Sequence, residues 1–265
     1  MDKNIFKVKG TYVNGQWFNS KTSYEVFNPS NGEKLSDVPI SDRKELELAV
    51  ASAKKAQAVW SKTSLIERAK CLEELSKKIL AKEEEFALID SYDSGNAITG
   101  MRKDVKETVN NIRYFCGLVR EVKGETFSME KNHLNFTRYQ PYGVVLKINP
   151  FNHPFRFCVE KIAAPLLMGN SLIIKNSEQA PISSLRFCEL LDDIFPKGLI
   201  NVVTGGPENG KFLVEHPDIK RIAVIGSVNT GIAIAKSAAP LLKNISLELG
   251  GKNPIIVFDD ADPDF

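Results

Sequence analysis

Apolar residues in the second half of the chain follow a regular alternation of short and long segments. Short runs rich in β-branched residues predict strands, and longer amphipathic segments between them predict helices. The predicted strands are Val144–Ile148, Ser171–Ile174, Ile200–Val203, Ile222–Ile225, Ile245–Leu249 and Ile255–Phe258. The predicted helices are roughly Phe155–Met168, Ile182–Ile194, Asn209–Glu215 and Thr230–Ala239. Apolar strands that alternate with helices are typical of a parallel sheet covered on both faces, so we expect a doubly wound α/β fold.

The first half of the chain carries longer helical patterns. Apolar residues over Leu46–Trp60 recur at helical spacing. A second helix is predicted over Leu65–Leu80, because Ser64 and Glu67 have the spacing of a capping box. A third helical stretch covers about Met101–Val122. The parallel sheet is therefore expected to follow a set of N-terminal helices.

Turns and exposed strands flank these helices. Asn14-Gly15 predicts a type I′ hairpin, and Asn28–Gly32 predicts a second turn. The segment Gly124–Gln140 alternates, is polar and ends at Pro141, so it predicts an exposed strand pair. An exposed strand edge is commonly covered by another subunit, which makes this segment a candidate for oligomerisation.

Composition excludes several classes of function. The net charge is +2, with 35 basic and 33 acidic residues intermixed, so no basic face for nucleic acid is expected. No apolar run is long enough to span a membrane or to form a signal core, so we expect a cytoplasmic protein. The three histidines and four cysteines fit no metal motif. The cysteines fall in predicted helices, where buried thiols are the ordinary expectation.

Candidate chemistry follows the strands, because ligands bind at the carboxyl ends of parallel strands. After the first strand of the sheet, Asn152 lies between Pro150 and Pro154, which fix the backbone around it. An aimed amide is a donor for a developing oxyanion, although a turn asparagine between prolines is the simpler interpretation of this motif alone. We interpret His153 as local packing or pocket wall.

Three further loops contain residues suited to a nucleotide. Lys175 and Glu178 follow the second strand and are able to bond ribose hydroxyls, although a charged helix-capping loop is an alternative. The glycines of Thr204-Gly205-Gly206 allow close approach of a ligand. Gly226-Ser227 opens a helix, whose N-terminus suits a diphosphate. Neither glycine loop matches a standard dinucleotide or phosphate fingerprint, so each is weak evidence alone.

The last motif presents a carboxylate. In Leu247-Glu248-Leu249-Gly250-Gly251-Lys252, Glu248 stands between apolar residues and before a glycine pair. This is how an active-site base is presented.

In order and spacing, these motifs resemble the aldehyde dehydrogenase superfamily from near the N-terminus to the last residue. The resemblance implies a Rossmann-like sheet, NAD as cofactor, with NADP possible, and an aldehyde as substrate. Asn152 matches the oxyanion-hole asparagine and Glu248 matches the general base that activates water. The implied cofactor-binding residues are Ile148, Phe151, Lys175, Glu178, Gly205, Gly226, Ser227 and Leu249. Glu178 favours NAD, because a carboxylate accepts the ribose hydroxyls and repels a 2′-phosphate.

The resemblance also implies a domain organisation. Residues 1–123 and 141–250 correspond to a discontinuous dinucleotide-binding domain, 124–140 to the strand pair that builds dimers or tetramers, and 251–265 to the start of a catalytic domain. Around Asn152, Phe151 and His153 replace the tryptophan and phenylalanine that are more usual in the family, which obscures the subfamily.

The family's nucleophilic cysteine is expected roughly three dozen residues beyond the glutamate, whereas the chain ends at Phe265. Asp262-Pro263-Asp264 has the signature of a helix start. We therefore expect an N-terminal part of a longer enzyme that is inactive alone. The alternative is a non-catalytic nucleotide-binding or oligomerisation module.

Overall fold

The computed structural model describes residues 3–262. Seven strands form one sheet: β1 (Thr11–Val13), β2 (Gln16–Phe18), β7 (Val144–Ile148), β8 (Ser171–Lys175), β9 (Ile200–Val203), β10 (Ile219–Gly226) and β11 (Asn244–Leu249). Two further hairpins are β3 (Ser23–Phe27) with β4 (Lys34–Pro39), and β5 (Thr126–Phe127) with β6 (Asn135–Phe136). The order in the sheet is β11-β10-β7-β8-β9-β1-β2. Strands β7 to β11 are parallel, and β1 joins the edge at β9 in the antiparallel direction, so the α/β prediction is confirmed.

Nine α-helices surround this sheet within residues 3–262. They are α1 (Arg43–Trp60), α2 (Leu65–Ala81), α3 (Glu83–Ser94), α4 (Ile98–Leu118), α5 (Pro154–Val159), α6 (Ala163–Leu167), α7 (Ile182–Phe187), α8 (Pro207–Glu215) and α9 (Val228–Ala238). Ser64 caps α2 in the predicted capping box with Glu67. Asn14 and Gly15 both have positive φ in the predicted hairpin, now β1–β2.

Both faces of the sheet are buried at strands β7, β8 and β9, as a doubly wound fold requires. In β8, Leu172 and Ile174 pack with α2 to α7, whereas Ile173 packs with Leu46 of α1 and Leu213 of α8. All five of these side chains are almost completely buried. Helices on both sides therefore fix the sheet, and the loops at its carboxyl edge rest on a rigid support.

Three predicted elements differ from the structure. Ile255–Phe258 is not a strand, because it pairs with no strand of residues 3–262, and its side chains are 72 to 92% exposed. The predicted helix over Phe155–Met168 divides into α5, a 3-10 turn and α6, with non-helical backbone at Lys161 and Pro165 inside the second half. The helix predicted from Ile182 ends at Phe187 and continues as a 3-10 turn.

Three other outcomes concern the predicted strand pair, the predicted last helix start and helix α3. The strand pair within 124–140 is confirmed as β5–β6, with only two residues in each strand. The helix start at Asp262-Pro263-Asp264 lies mostly outside the described residues. Helix α3 was not predicted. Among residues 3–262, no helix has the length and apolar character needed to cross a membrane.

Candidate functional site

The register of the parallel strands places the predicted loops along one edge. Ile148 pairs with Lys175 of β8 and with Val224 of β10, and Gly226 pairs with Leu249 of β11. The carboxyl ends of parallel strands share one edge, so the loops that follow β7, β8, β10 and β11 are neighbours. The structure therefore brings together the residues that sequence motifs had marked separately.

The loop after β7 begins with a buried residue, Asn149, and continues with two exposed residues, Phe151 and Asn152. Buried Asn149 donates from Nδ2 to Oδ1 of Asn176 at 2.9 Å, which links the loops after β7 and β8. Phe151 is 48% exposed, and Asn152 is also exposed. The carbonyl of Asn152 accepts a hydrogen bond from Nδ2 of Asn96 at 2.6 Å. Its side-chain amide has no partner among residues 3–262, so it remains available as a donor.

Lys175 and Glu178 both approach the loop and helix that follow β9. A Cβ placed on Gly210 would lie 3.6 Å from Cδ of Lys175, and one on Gly206 would lie 3.4 Å from Oε2 of Glu178. Lys175 is 8% exposed, and burial lowers its pKa, with the nearby Glu178 carboxylate opposing that change. The two glycines place no side chain between this pair and the backbone of the loop and helix that follow β9.

Gly205 is required by the backbone of the same loop. Its φ is +114°, and a Cβ there would lie 2.2 Å from Nδ2 of Asn209. That amide donates to the carbonyls of Ser41 and Thr204, both at 2.8 Å. Gly205 therefore shapes the loop that follows β9, and a ligand contact at Gly205 stays a prediction.

Gly226 and Ser227 lie where β10 ends and α9 begins. The Oγ of Ser227 accepts from the amide of Thr230 at 3.2 Å and lies 2.9 Å from its Oγ1, so the hydroxyl already caps the helix. Leu249 packs against the same helix, since a Cβ on Gly231 would lie only 2.7 Å from Cδ1 of Leu249. The start of α9 is exposed and presents unpaired amides towards the shared edge.

Glu248 lies at the opening of a groove of about 460 Å³ on one face of the sheet. Its side chain is 65% exposed and its Oε1 lies 3.2 Å from Nζ of Lys161. Sequence reasoning missed Lys161, because the pair joins positions far apart in the chain. The groove is also lined by Tyr142, Lys147, Asn149, Arg221 and Ser246.

Other charged residues beside the site were also missed. Lys147, the only charged residue of β7, is 2% exposed and donates to the carbonyls of Phe157 and Cys158 at 3.0 and 2.9 Å. Burial lowers the pKa of Lys147 to about 8. The sequence did contain a signal for Lys147, because a lysine inside an otherwise apolar strand is unusual. His153, which we expected to be local packing or pocket wall, packs its ring against Phe157, and its Nδ1 also lies 2.5 Å from Oδ2 of Asp104 on α4.

The four cysteines have no feature of a nucleophile. Cys116, Cys158 and Cys188 are buried and Cys71 is partly buried. Burial raises the pKa of each thiol, to about 11 for Cys116 and Cys158. Within residues 3–262, no group of three or more His, Cys, Asp or Glu side chains is arranged to hold a metal ion.

The doubly wound parallel sheet, with its ligand loops at the carboxyl edge, is a Rossmann-like fold. A sequence model of the aldehyde dehydrogenase family matches residues 17–265, and the chain belongs to that family. The chain is 37% identical over 258 residues to an aldehyde dehydrogenase of Talaromyces stipitatus, covering 96% of this chain and 50% of that protein. It is 36% identical over 262 residues to betaine aldehyde dehydrogenase of Vibrio vulnificus, covering 97% and 54%.

Solved structures agree with this assignment. Betaine aldehyde dehydrogenase from Staphylococcus aureus in complex with NAD+ matches with a TM-score of 0.90 and 33% identity, over 96% of this chain and 52% of that one. An NAD+ complex of aldehyde dehydrogenase from Bacillus cereus matches with a TM-score of 0.90 and 34% identity, over 97% and 54%. The chain thus spans about half the length of the relatives it matches.

Proposed function

We propose that this chain supplies the NAD-binding part and the general base of an NAD-dependent aldehyde dehydrogenase. The observation that carries the proposal is the strand register, which places Ile148, Lys175, Gly226 and Leu249 along one sheet edge. Support comes from matching structures that hold NAD+. Residues 1–123 and 141–250 would form the dinucleotide-binding domain, and 251–265 would begin the catalytic domain.

The residues present fit a dinucleotide. Gly206 and Gly210 leave open the space that a Cβ would occupy beside Glu178 and Lys175. In the proposal, these two side chains bond the adenosine ribose, and the exposed amides at the start of α9, with Ser227, receive the diphosphate. In the proposal, Ile148, Phe151 and Leu249 contact the dinucleotide at the carboxyl edge of the sheet. When bound, NAD supplies the acceptor for hydride. A carboxylate at Glu178 favours NAD over NADP.

The chemistry of the chain's own residues is stabilisation of charge and activation of water. The amide of Asn152 donates to the oxygen of the aldehyde as negative charge develops there. Glu248 takes a proton from the water that releases the acid, and Lys161 beside it holds the carboxylate near the groove.

The proposal assigns the attacking thiol to none of the four cysteines in this chain. Because burial raises the pKa of each thiol, thiolate is scarce at neutral pH. The 265 residues are therefore expected to be inactive alone. Oxidation would need a thiol that they do not supply.

The proposed partner is a second copy of the full enzyme, forming a dimer or tetramer through residues 124–140. Phe127, Met129, Leu134 and Phe136 on this segment are 48 to 78% exposed. Exposed apolar side chains on a short strand pair suit burial against another subunit.

Calorimetric titration of the 265-residue chain with NAD tests the cofactor assignment. We expect saturable binding that Lys175→Met weakens, whereas Lys70→Met on the exposed side of α2 leaves it unchanged. No heat of binding up to millimolar NAD, from a folded chain, would contradict the proposal. NAD binding without turnover, when the chain is joined to a domain that carries an accessible cysteine, would instead favour the non-catalytic module.

A further inference from the structure

Helix α3 and its C-terminal cap present three polar side chains at intervals of three residues, and each reaches a candidate site loop. Asp90 Oδ2 accepts from the amide of Phe155 at 2.9 Å. Asp93 Oδ2 accepts from the amide of Ile182 at 2.9 Å. Asn96 Nδ2 donates to the carbonyl of Asn152 at 2.6 Å. Asp90 and Asp93 share one face of α3, and Asn96 follows the C-terminal cap Gly95, so α3 and the residue after its cap contact both loops.

The two carboxylates satisfy helix starts that directly follow the candidate sites. Phe155 lies in the first turn of α5, just after Asn152, and Ile182 is the first residue of α7, after the loop that carries Glu178. Amides at a helix start have no partner within the helix, and a carboxylate is favoured there. Neither α5 nor α7 makes a side-chain cap of its own, so α3 supplies the missing acceptors.

Asn96 holds the other end of the Asn152 loop. Gly95, at φ 78°, ends α3, and the Asn96 carbonyl then accepts from Oγ of Ser91 at 2.7 Å. The Asn96 amide also donates to Oγ of Ser94 at 2.9 Å. Its position is thus fixed before it reaches Asn152. Asn96 and Asp90 together hold residues 152–155 at both ends.

This arrangement is costly for stability. Asp90 and Asp93 are 1% and 3% exposed, and the Oδ1 of Asp93 has no partner among residues 3–262. Burial raises the pKa of Asp90 to about 7 and that of Asp93 well above its usual range. Buried polar groups of this kind are weak contributors to stability, since well-packed apolar residues often replace them without loss. We therefore interpret Asp90 and Asp93 as residues that fix the positions of the two loops.

We propose that Asp90, Asp93 and Asn96 are positioning residues, with Asp90 and Asn96 aiming Asn152 and Asp93 fixing the loop of Glu178. The roles of those two targets rest on the proposed function. The hydrogen bonds that fix the two loops do not depend on the proposed function, and their effect on loop order is measurable without turnover.

Hydrogen exchange of the 265-residue chain, measured by mass spectrometry on peptides, tests whether these residues fix the two loops. Asn96→Asp removes the donor at nearly constant volume, and should raise exchange of amides in 152–157 about tenfold, the effect of losing one hydrogen bond. Exchange in 179–186 should stay unchanged. Asp93→Leu should raise exchange in 179–186 and leave exchange in 152–157 unchanged. Asp93→Asn keeps an acceptor oxygen, so its exchange should match that of the wild type. Glu84→Gln on the exposed side of α3 is the control.

Titration with NAD tests the link to the site. Asp93→Leu should weaken NAD binding about fivefold or more, Asp93→Asn should not, and Asn96→Asp should stay within twofold of wild type. Equal exchange increases in both segments, or none in a folded Asn96→Asp chain, would overturn the proposal. If Asp93→Leu does not fold, the Asn96 variant decides. Localised exchange with no NAD binding by the wild-type chain would contradict the proposed function while leaving the positioning network supported.

Discussion

The carboxylate of Glu178 lies against Gly206, where an added Cβ would stand only 3.4 Å from Oε2. This places the acidic group of one loop beside the backbone of the next, at the sheet edge where β8 and β9 end. A ligand that enters between them meets a carboxylate and a surface without side chains. Such a surface accepts hydroxyl groups and disfavours a phosphate in the same place.

The first prediction concerns cofactor choice. Glu178→Ala removes the repulsion of a 2′-phosphate together with the acceptor for ribose hydroxyls, so NAD affinity should fall and the NAD to NADP affinity ratio should drop about tenfold. Calorimetric or fluorescence titration with both dinucleotides measures the ratio. Glu74→Ala, on an exposed part of α2, serves as the control. An unchanged ratio would remove Glu178 from the ribose site.

The sheet and its ligand loops were predictable because their signals are local. Apolar runs such as Ser171–Ile174 bury both faces of a strand, and the residues after each run reach the carboxyl edge by topology alone. Glu178 lies beside Gly206 and Lys175 beside Gly210, as that reasoning requires. The φ of Gly205 is +114°, which favours glycine, so the structure shows a backbone requirement at this predicted site residue.

Other features depend on contacts between distant parts of the chain. Ile255–Phe258 has the composition of a strand, yet a strand needs a neighbour, and it pairs with none among residues 3–262. Helix α3 was missed because its buried face carries Asp90 and Asp93, which weaken the apolar pattern. The approach of Lys161 to Glu248 joins α5–α6 to β11, a pairing with no local signature.

The second prediction concerns Gly205. Gly205→Ala places a Cβ against Asn209 at a φ that L residues rarely adopt, so the free energy of unfolding should fall by about 2 kcal/mol. Gly250→Ala, where an added Cβ meets no atom within 4 Å, is the matched control. Urea denaturation of both variants measures the difference. Equal stability of the two variants would show that the loop relaxes freely.

The third prediction concerns pH. Asp90 has a pKa of about 7 in the folded protein because of burial, with Asp104 raising it further and His153 lowering it. Since this is above the ordinary value of an aspartate, the folded state binds the proton more tightly. Stability should therefore fall as pH rises from about 4 to 7, and should level off above that range.

Comparison with Asp90→Asn isolates this effect from other titrating groups. Between pH 5.5 and 8.0, the wild type should lose on the order of 2 kcal/mol more than the variant. Asp193→Asn, at a site where the side chain is 90% exposed, should behave like the wild type. Parallel pH profiles of wild type and Asp90→Asn would mean that Asp90 does not titrate in this range.

The fourth prediction concerns the thiols and turnover together. Because burial raises the pKa of all four cysteines, a thiol reagent at pH 7.5 should label the native chain slowly, and partly buried Cys71 should react first. For the same reason, the 265-residue chain should not reduce NAD to NADH when an aldehyde is added, as measured by absorbance. The Cys71→Ser, Cys116→Ser, Cys158→Ser and Cys188→Ser variants are the controls, and a folded variant of each should show the same absence of turnover. Turnover that Glu248→Gln abolishes would contradict this prediction, and its loss in one of the four serine variants would identify the nucleophile.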